Sequence, residues 1–293
     1  FLAQLDLIRE KALFAQDLNA IKPEVNQDNQ VIIKQAKHPL LLLNPTEHHK
    51  VVSNDFIFDL DTRLLLISGP NAGGKSVALK TFGLLQYMIQ SGLLVPVAEE
   101  SSFKIFDQIF ADIGDQQSLE DDLSTYSAHL TNMKHFLSYA NKKTLVLIDE
   151  FGTGTEPEYG GAIAETILEN IVETGAFGLI TTHYANLKVY AQNTNGIQNG
   201  AMMYDIRSLT PLYKMVLGEP GRSYALEIAQ SIGLQQHIIE KAQEKIGGSH
   251  VSFDALVKEV EIERLKLEEL TTSLTLKEAS LKKKLAKVEE EQN

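Results

Sequence analysis

The spacing of apolar residues changes character three times along the chain. From Phe1 to about Ala20, Leu2, Leu5, Ile8, Ala12 and Ala15 or Gln16 recur along one side of a helix, with Leu13 and Phe14 widening the stripe. Pro23 and the Asn, Gln and Asp residues of 25–30 end it. A lone helix cannot bury its own stripe, so it is expected to dock on another surface. From Val31 the apolar residues contract into short runs at 31–33, 51–58, 63–68, 103–106, 108–111, 144–148 and 177–182. Helical patterns separate several of them, at 76–90, from Ser124 through Leu137, and at 157–174. Continuous apolar runs alternating with amphipathic helices predict an α/β fold whose central sheet is mixed but largely parallel. His38-Pro39-Leu40 reads as a loop, and the runs at 103–106 and 108–111 read as a pair of strands. After Gly200 two further strands (201–206 and 212–217) precede helices at 224–232 and 236–246, the first capped by Ser223 and ended by Gly233. That helix pair suits either a dimer contact or a cover for the sheet. Beyond Gly248, Phe253, Val260, Leu267, Leu274, Leu281 and Val288 recur at every seventh position. The second seam keeps Leu256 and Leu270 but has Glu263, Lys277, Lys284 and Glu291 elsewhere. This fits half of an antiparallel stalk or a weak dimer coil, with a solvated single helix as the rival.

The strand at 63–68 runs directly into Gly69-Pro70-Asn71-Ala72-Gly73-Gly74-Lys75-Ser76, with Val77 opening the helix behind it. Strand, Gly-x-x-x-x-Gly-Lys-Ser and helix together form a P-loop. Gly69, Gly73 and Gly74 let the backbone curl round phosphate oxygens with its N–H groups inward. The helix start adds its positive dipole end. Lys75 supplies a mobile charge for the outer phosphates, and the Ser76 hydroxyl suits Mg²⁺. The run at 144–148 ends in Asp149-Glu150, a strand tip that delivers two carboxylates. Beside a P-loop, Asp149 is expected to hold Mg²⁺ and Glu150 to act as general base on the attacking water. His183, at the polar end of the next apolar run, is either structural or a hydrogen-bond partner of the γ-phosphate or of that water. Ser124 reads, on its own, as a helix N-cap. An apolar residue of 51–58 either touches adenine or packs in the core. His48-His49-Lys50 reads as a solvated turn rather than a metal site.

Composition narrows the partners. With 27 Lys and Arg against 39 Asp and Glu the net charge is −12, which makes a poor nonspecific nucleic-acid binder, so DNA or RNA contacts would be local or supplied by other parts. The absence of cysteine excludes disulfides, iron–sulfur clusters and thiolate zinc. No apolar run approaches the roughly 20 residues of a membrane span, and no signal peptide is visible. The expectation is a soluble, cytoplasmic fragment that makes no membrane contact.

Taken together, these motifs resemble the MutS family of ABC-type ATPases. They are joined by Asp112-Ile113-Gly114-Asp115-Gln116, Leu123-Ser124-Thr125-Tyr126-Ser127 and Thr181-Thr182-His183-Tyr184. Asn186-Leu187-Lys188 and Pro220-Gly221-Arg222-Ser223-Tyr224-Ala225 look most like the bacterial branch that carries a C-terminal Smr nuclease domain. The resemblance covers about residues 1–249. It implies a helical connector over 1–30 at the end of a lever segment, an ATPase domain over 31–248 and the start of a coiled-coil stalk over 249–293. It implies ATP and Mg²⁺ as cofactors, with Asn71 positioning the γ-phosphate and attacking water. Ser124 would reach across a homodimer to the partner's nucleotide, in place of the simple cap. Val51 or Val52 stands where the family stacks an aromatic residue on adenine. For a longer parent it implies a clamp on DNA, or on rRNA or the ribosome, in recombination suppression, branched-DNA processing or stalled-ribosome processing. A mismatch-repair sensor is the nearest alternative, but the coil directly after the ATPase does not fit it. A transporter-type ABC subunit would want Leu-Ser-Gly-Gly-Gln where this chain has Leu123-Ser124-Thr125-Tyr126-Ser127.

Overall fold

The computed structural model describes residues 2–26, 30–44, 51–59, 61–114, 122–205, 208, 210–246, 271, 274 and 277, with the backbone alone at 71, 122–125 and 246. In chain order the elements are α1 (Leu2–Asp17), β1 (Glu24–Asn26), β2 (Val31–Ala36), α2 (Pro39–Leu43), β3 (Asn54–Phe58), β4 (Thr62–Ser68), a 3₁₀ turn (Asn71–Gly73), α3 (Lys75–Gln90), β5 (Ser102–Lys104), β6 (Gln108–Asp112), α4 (Asp122–Tyr139), β7 (Thr144–Ile148), α5 (Pro157–Thr174), β8 (Phe177–Thr181), α6 (Ala185–Asn193), β9 (Gly196–Asp205), β10 (Thr210–Leu217), α7 (Ala225–Ser231) and α8 (Gln236–Ile246). They fall into two units, residues 1–221 and 222–293.

In the first unit a six-stranded sheet runs β10-β9-β4-β8-β7-β6, and a four-stranded sheet runs β1-β5-β2-β3. Strands β9, β4, β8, β7 and β6 are parallel neighbours, and only β10 joins antiparallel. This is the expected mixed, largely parallel α/β sheet. Its central strands are apolar throughout because both faces are covered. On β4, Leu65 and Ile67 face a core that holds α3 and the small sheet, whereas Leu64 and Leu66 face a second core under α4, α5 and α6. The first core is aromatic: Phe82 of α3 meets Phe56 and Phe58 of β3 with ring centroids 5.2 and 5.3 Å apart. Phe58 meets Phe177 of β8 at 6.3 Å. Each such fully buried ring or leucine contributes roughly 1.5–3 kcal/mol.

Several expectations need correction. The runs at 103–106 and 108–111 are not a strand pair: β5 belongs to the small sheet and β6 to the edge of the large one. Both runs are apolar, so periodicity could not assign them to different sheets. His38–Leu40 opens a short helix with Pro39 at its first position, where a missing N–H costs nothing. The N-cap of α7 is Tyr224, not Ser223, and makes no side-chain cap bond. The helix that includes Ser124 begins at Asp122, placing Ser124 in the first turn rather than at the cap. The α1 stripe is only partly used, because Leu2, Leu5 and Ile8 remain exposed while Ala15, at its far end, is buried, as is Leu18 just beyond the helix. In the second unit α7 and α8 form a helical pair, with Gly233 between them at φ +85°. Thr271, Leu274 and Lys277 are helical; the rest of the heptad segment 249–293, like His48-His49, lies outside the described residues. Among those residues no helix is long and apolar enough to cross a membrane.

Candidate functional site

The site forms at the C-terminal tips of β4, β7 and β8. Strand β4 is locked between β8 and β9, so its exit at Ser68 is fixed. Gly69 then takes φ +139° and Gly74 φ +93°, conformations a side chain would strain. A Cβ on Gly74 would also sit 3.1 Å from the Tyr213 ring. Gly74 is the N-cap of the 16-residue α3, and no side chain caps that end. Its first N–H groups are therefore open donors at the positive end of the helix dipole. Lys75 is 3% exposed, and its Nζ donates to the loop's own carbonyls, Gly69 O at 3.0 Å and Pro70 O at 3.1 Å. Burial pushes its pKa down to about 8; Lys188 acts in the same direction, and Glu150 and Asp149 oppose it.

Opposite stands the acidic tip. All of β7 is buried, and Asp149 follows it, itself buried. The Asp149 N–H donates to Asp112 O at 2.9 Å. Its Oδ1 accepts from Ser76 Oγ at 3.0 Å and from Thr181 Oγ1 at 2.5 Å. Ser76 and Asp149, both expected at a metal, are thus in contact. Glu150 is exposed and left-handed, at φ +51°. His183 lies two residues past the end of β8 and remains exposed at the lip. Its pKa falls to about 4, first through partial burial of the ring, then through the Lys75 and Lys188 ammonium groups, with Asp149 opposing. It is therefore neutral at pH 7. Ala72 and Val77 are exposed. Asn71 belongs to the 3₁₀ turn and Ser124 to the first turn of α4, but their side chains lie outside the description, as do residues 115–121 with Asp115 and Gln116. Asp112 anchors α4 by its carboxylate: Oδ2 lies 2.6 Å from His129 Nδ1, and Oδ1 accepts from Asn132 Nδ2 at 2.8 Å.

Two contacts support the loop from behind. The Gly221 N–H donates to Ser68 Oγ at 2.8 Å, and the buried Lys188 ammonium donates to Gly221 O at 2.8 Å. A Cβ on Gly221 would lie 2.4 Å from Ser68 O, so only glycine can approach this closely.

Beside α3 a cleft of about 500 Å³ opens, lined in part by His38, Val51, Val52, Val77, Thr81 and Tyr213. That volume suits a drug-sized ligand. Val51 and Val52 thus face a cavity rather than filling the core. Tyr213 was not foreseen. It sits in a register shift of β10 between Pro211 and Met215, at φ +53°. Asn54 holds the irregularity, donating from Nδ2 to Tyr213 O at 3.0 Å and accepting the Met215 N–H at 2.6 Å. Such a bulge re-aims a side chain, here across Gly74. An isolated tyrosine in an apolar run carried no signal for this.

Open amides, a buried ammonium and a hydroxyl–carboxylate pair suit a polyphosphate with a hard divalent cation. Among the described residues no group of three His, Asp or Glu forms a metal cage. Ser76 and Asp149 offer two oxygen donors, the small protein share usual where phosphates complete a Mg²⁺ shell.

Residues 65–248 match the family model for MutS domain V. The chain is 44% identical over 263 residues to the protein named endonuclease MutS2 of Enterococcus faecalis, covering 90% of this chain and 33% of that protein. It is 41% identical over 287 residues to the one from Clostridium kluyveri, covering 98% and 35%. A third, from Shouchella clausii, is 44% identical over 260 residues, covering 89% and 32%. The chain spans about a third of the length of the relatives it matches.

Proposed function

This chain belongs to the MutS family, and from that premise we propose that it binds and hydrolyses ATP in the cleft between the 69–76 loop, the 149–150 acids and Tyr213. The observation that carries this reading is the Lys75 ammonium, buried on the carbonyls of its own loop and facing an Asp149 already gripped by Ser76. Amides of residues 69–76 and the α3 terminus cradle the phosphates, and Lys75 moves from Gly69 O and Pro70 O to the outer ones. Ser76 and Asp149 hold Mg²⁺, which when bound neutralises phosphate charge. Glu150 takes the proton of the attacking water, and neutral His183 hydrogen-bonds the γ-phosphate or that water, assisted by Asn71. Tyr213 stacks on the base, with Val51, Val52 and Val77 around it, replacing the aromatic residue that the family places at 51 or 52.

Ser124 acts on the nucleotide of a second copy in a homodimer, carried on a helix that Asp112 fixes. The N-terminal helix is the connector and residues 249–293 the start of a stalk. The longer parent is a nucleic-acid clamp, with DNA or rRNA contacts mostly outside this chain and nuclease activity outside it; the name endonuclease MutS2 carried by the relatives favours this branch over the mismatch-sensor alternative. Mixing Ser124→Ala with Lys75→Ala subunits tests the dimer. If the two residues act across the interface, mixed dimers keep one intact site and regain part of the turnover; no recovery refutes the trans role.

A further inference from the structure

We infer that Thr181 is the positioning residue that holds Asp149 and Glu150 in working geometry, an inference that rests on the roles just proposed for those two acids. Thr181 is the last residue of β8, between the P-loop strand β4 and the acidic strand β7, and is wholly buried. Its hydroxyl donates to Asp149 Oδ1 at 2.5 Å and accepts the Glu150 N–H at 2.8 Å. Its carbonyl accepts the Phe151 N–H at 2.9 Å. One residue thus secures three consecutive residues across the strand gap.

The chemistry requires a hydroxyl. Asp149 Oδ1 needs a donor and the Glu150 amide an acceptor, and one O–H supplies both from a single atom. Valine would fill the same volume and strand conformation but take the hydroxyl acceptor from the part-buried Glu150 N–H and the donor from the buried Asp149 Oδ1. The middle residue is also the strained one. Glu150 holds φ +51°, a region that glutamate rarely adopts. Besides Thr181, its backbone is restrained by Thr153, whose N–H and Oγ1 donate to Glu150 O at 3.2 and 2.8 Å. The exposed Glu150 side chain thus projects from a backbone pinned on both sides, which sets where a base can reach. The link also couples the two acids, since a shift of Asp149 moves the hydroxyl that holds Glu150.

The test compares Thr181→Val and Thr181→Ser in the 293-residue chain. In nucleotide-free protein, amide hydrogen exchange at Glu150 should quicken about tenfold or more in the Val variant and stay at the wild-type rate in the Ser variant. Binding of a fluorescent ATP analogue in the absence of Mg²⁺ should be unchanged in both. Turnover should fall about 10–100-fold in the Val variant, the usual cost of removing a partner that orients a working ligand, with KM retained, and recover in the Ser variant. Unchanged exchange or unchanged turnover in the Val variant overturns the inference. So does a Ser variant as slow as Val, which would make the role one of volume. Should the Val variant not fold, Thr181→Cys, the size of Ser with a feeble hydrogen-bonding group, takes its place. Glu150→Gln run in parallel separates the two readings: wild-type turnover there defeats the base assignment, while the exchange measurement still decides the clamp.

Discussion

The proposed phosphate end and the proposed base end of the cleft are built by different means. The phosphate end is made of backbone and of residues at the tips of β4, β7 and β8, adjacent strands whose positions the sheet dictates. The proposed base end is lined by residues that include 38, 51, 52, 77, 78, 81 and 213, which no regular pairing brings together in sequence order. The first resembles a fixed socket whose chemistry tolerates little change. The second is a largely apolar surface into which a register shift turns one aromatic ring, the one proposed above to stack on the base.

The largest effect on binding that would sharpen this contrast comes from Lys75→Ala. Losing the buried ammonium should weaken binding of an ATP analogue by about 100-fold or more, measured by fluorescence titration, because charge-assisted contacts in a dry site are the strong ones. Unchanged affinity would dissolve the socket. Next, Glu150→Gln should cut turnover by roughly 10²–10⁴ while binding persists, the usual range for a general base. At the base end, Tyr213→Ala should weaken binding about tenfold, as expected for one lost stacking contact, and leave inorganic triphosphate binding untouched. Equal losses for both ligands would erase the distinction between the two ends.

The smallest effect is a pH dependence confined to the socket. Lys75 in the free protein titrates near 8, and phosphate favours its charged form. Affinity should therefore hold below pH 7.5 and decline as pH rises through 8, about fourfold between pH 7 and 8.5, with proton uptake on binding above pH 8. His183, depressed to about 4, stays neutral across that window and adds nothing to it.

The same contrast explains how far the site was legible in the sequence. Gly69 to Ser76 and Asp149-Glu150 could be read directly because each motif is contiguous and ends a strand buried on both faces. Ser76 and Asp149 then meet by sheet order alone, at 3.0 Å. Tyr213 could not be read, since its direction depends on Asn54 bridging a register shift from 159 residues away. Thr181 stands beside a histidine of more obvious chemistry, and the two hydrogen bonds of its hydroxyl form only when β8 lies beside β7. The strand runs around 105 and 109 were recognised, but their division between two sheets rests on long-range pairing that local periodicity does not carry.

The most direct test is a crystal of the chain grown with Mg²⁺ and a nonhydrolysable ATP analogue. The expected density shows phosphates on the amides of residues 69–76, the cation beside Ser76 and Asp149, and the purine against Tyr213. A nucleotide seated elsewhere, with this cleft empty, would contradict the account.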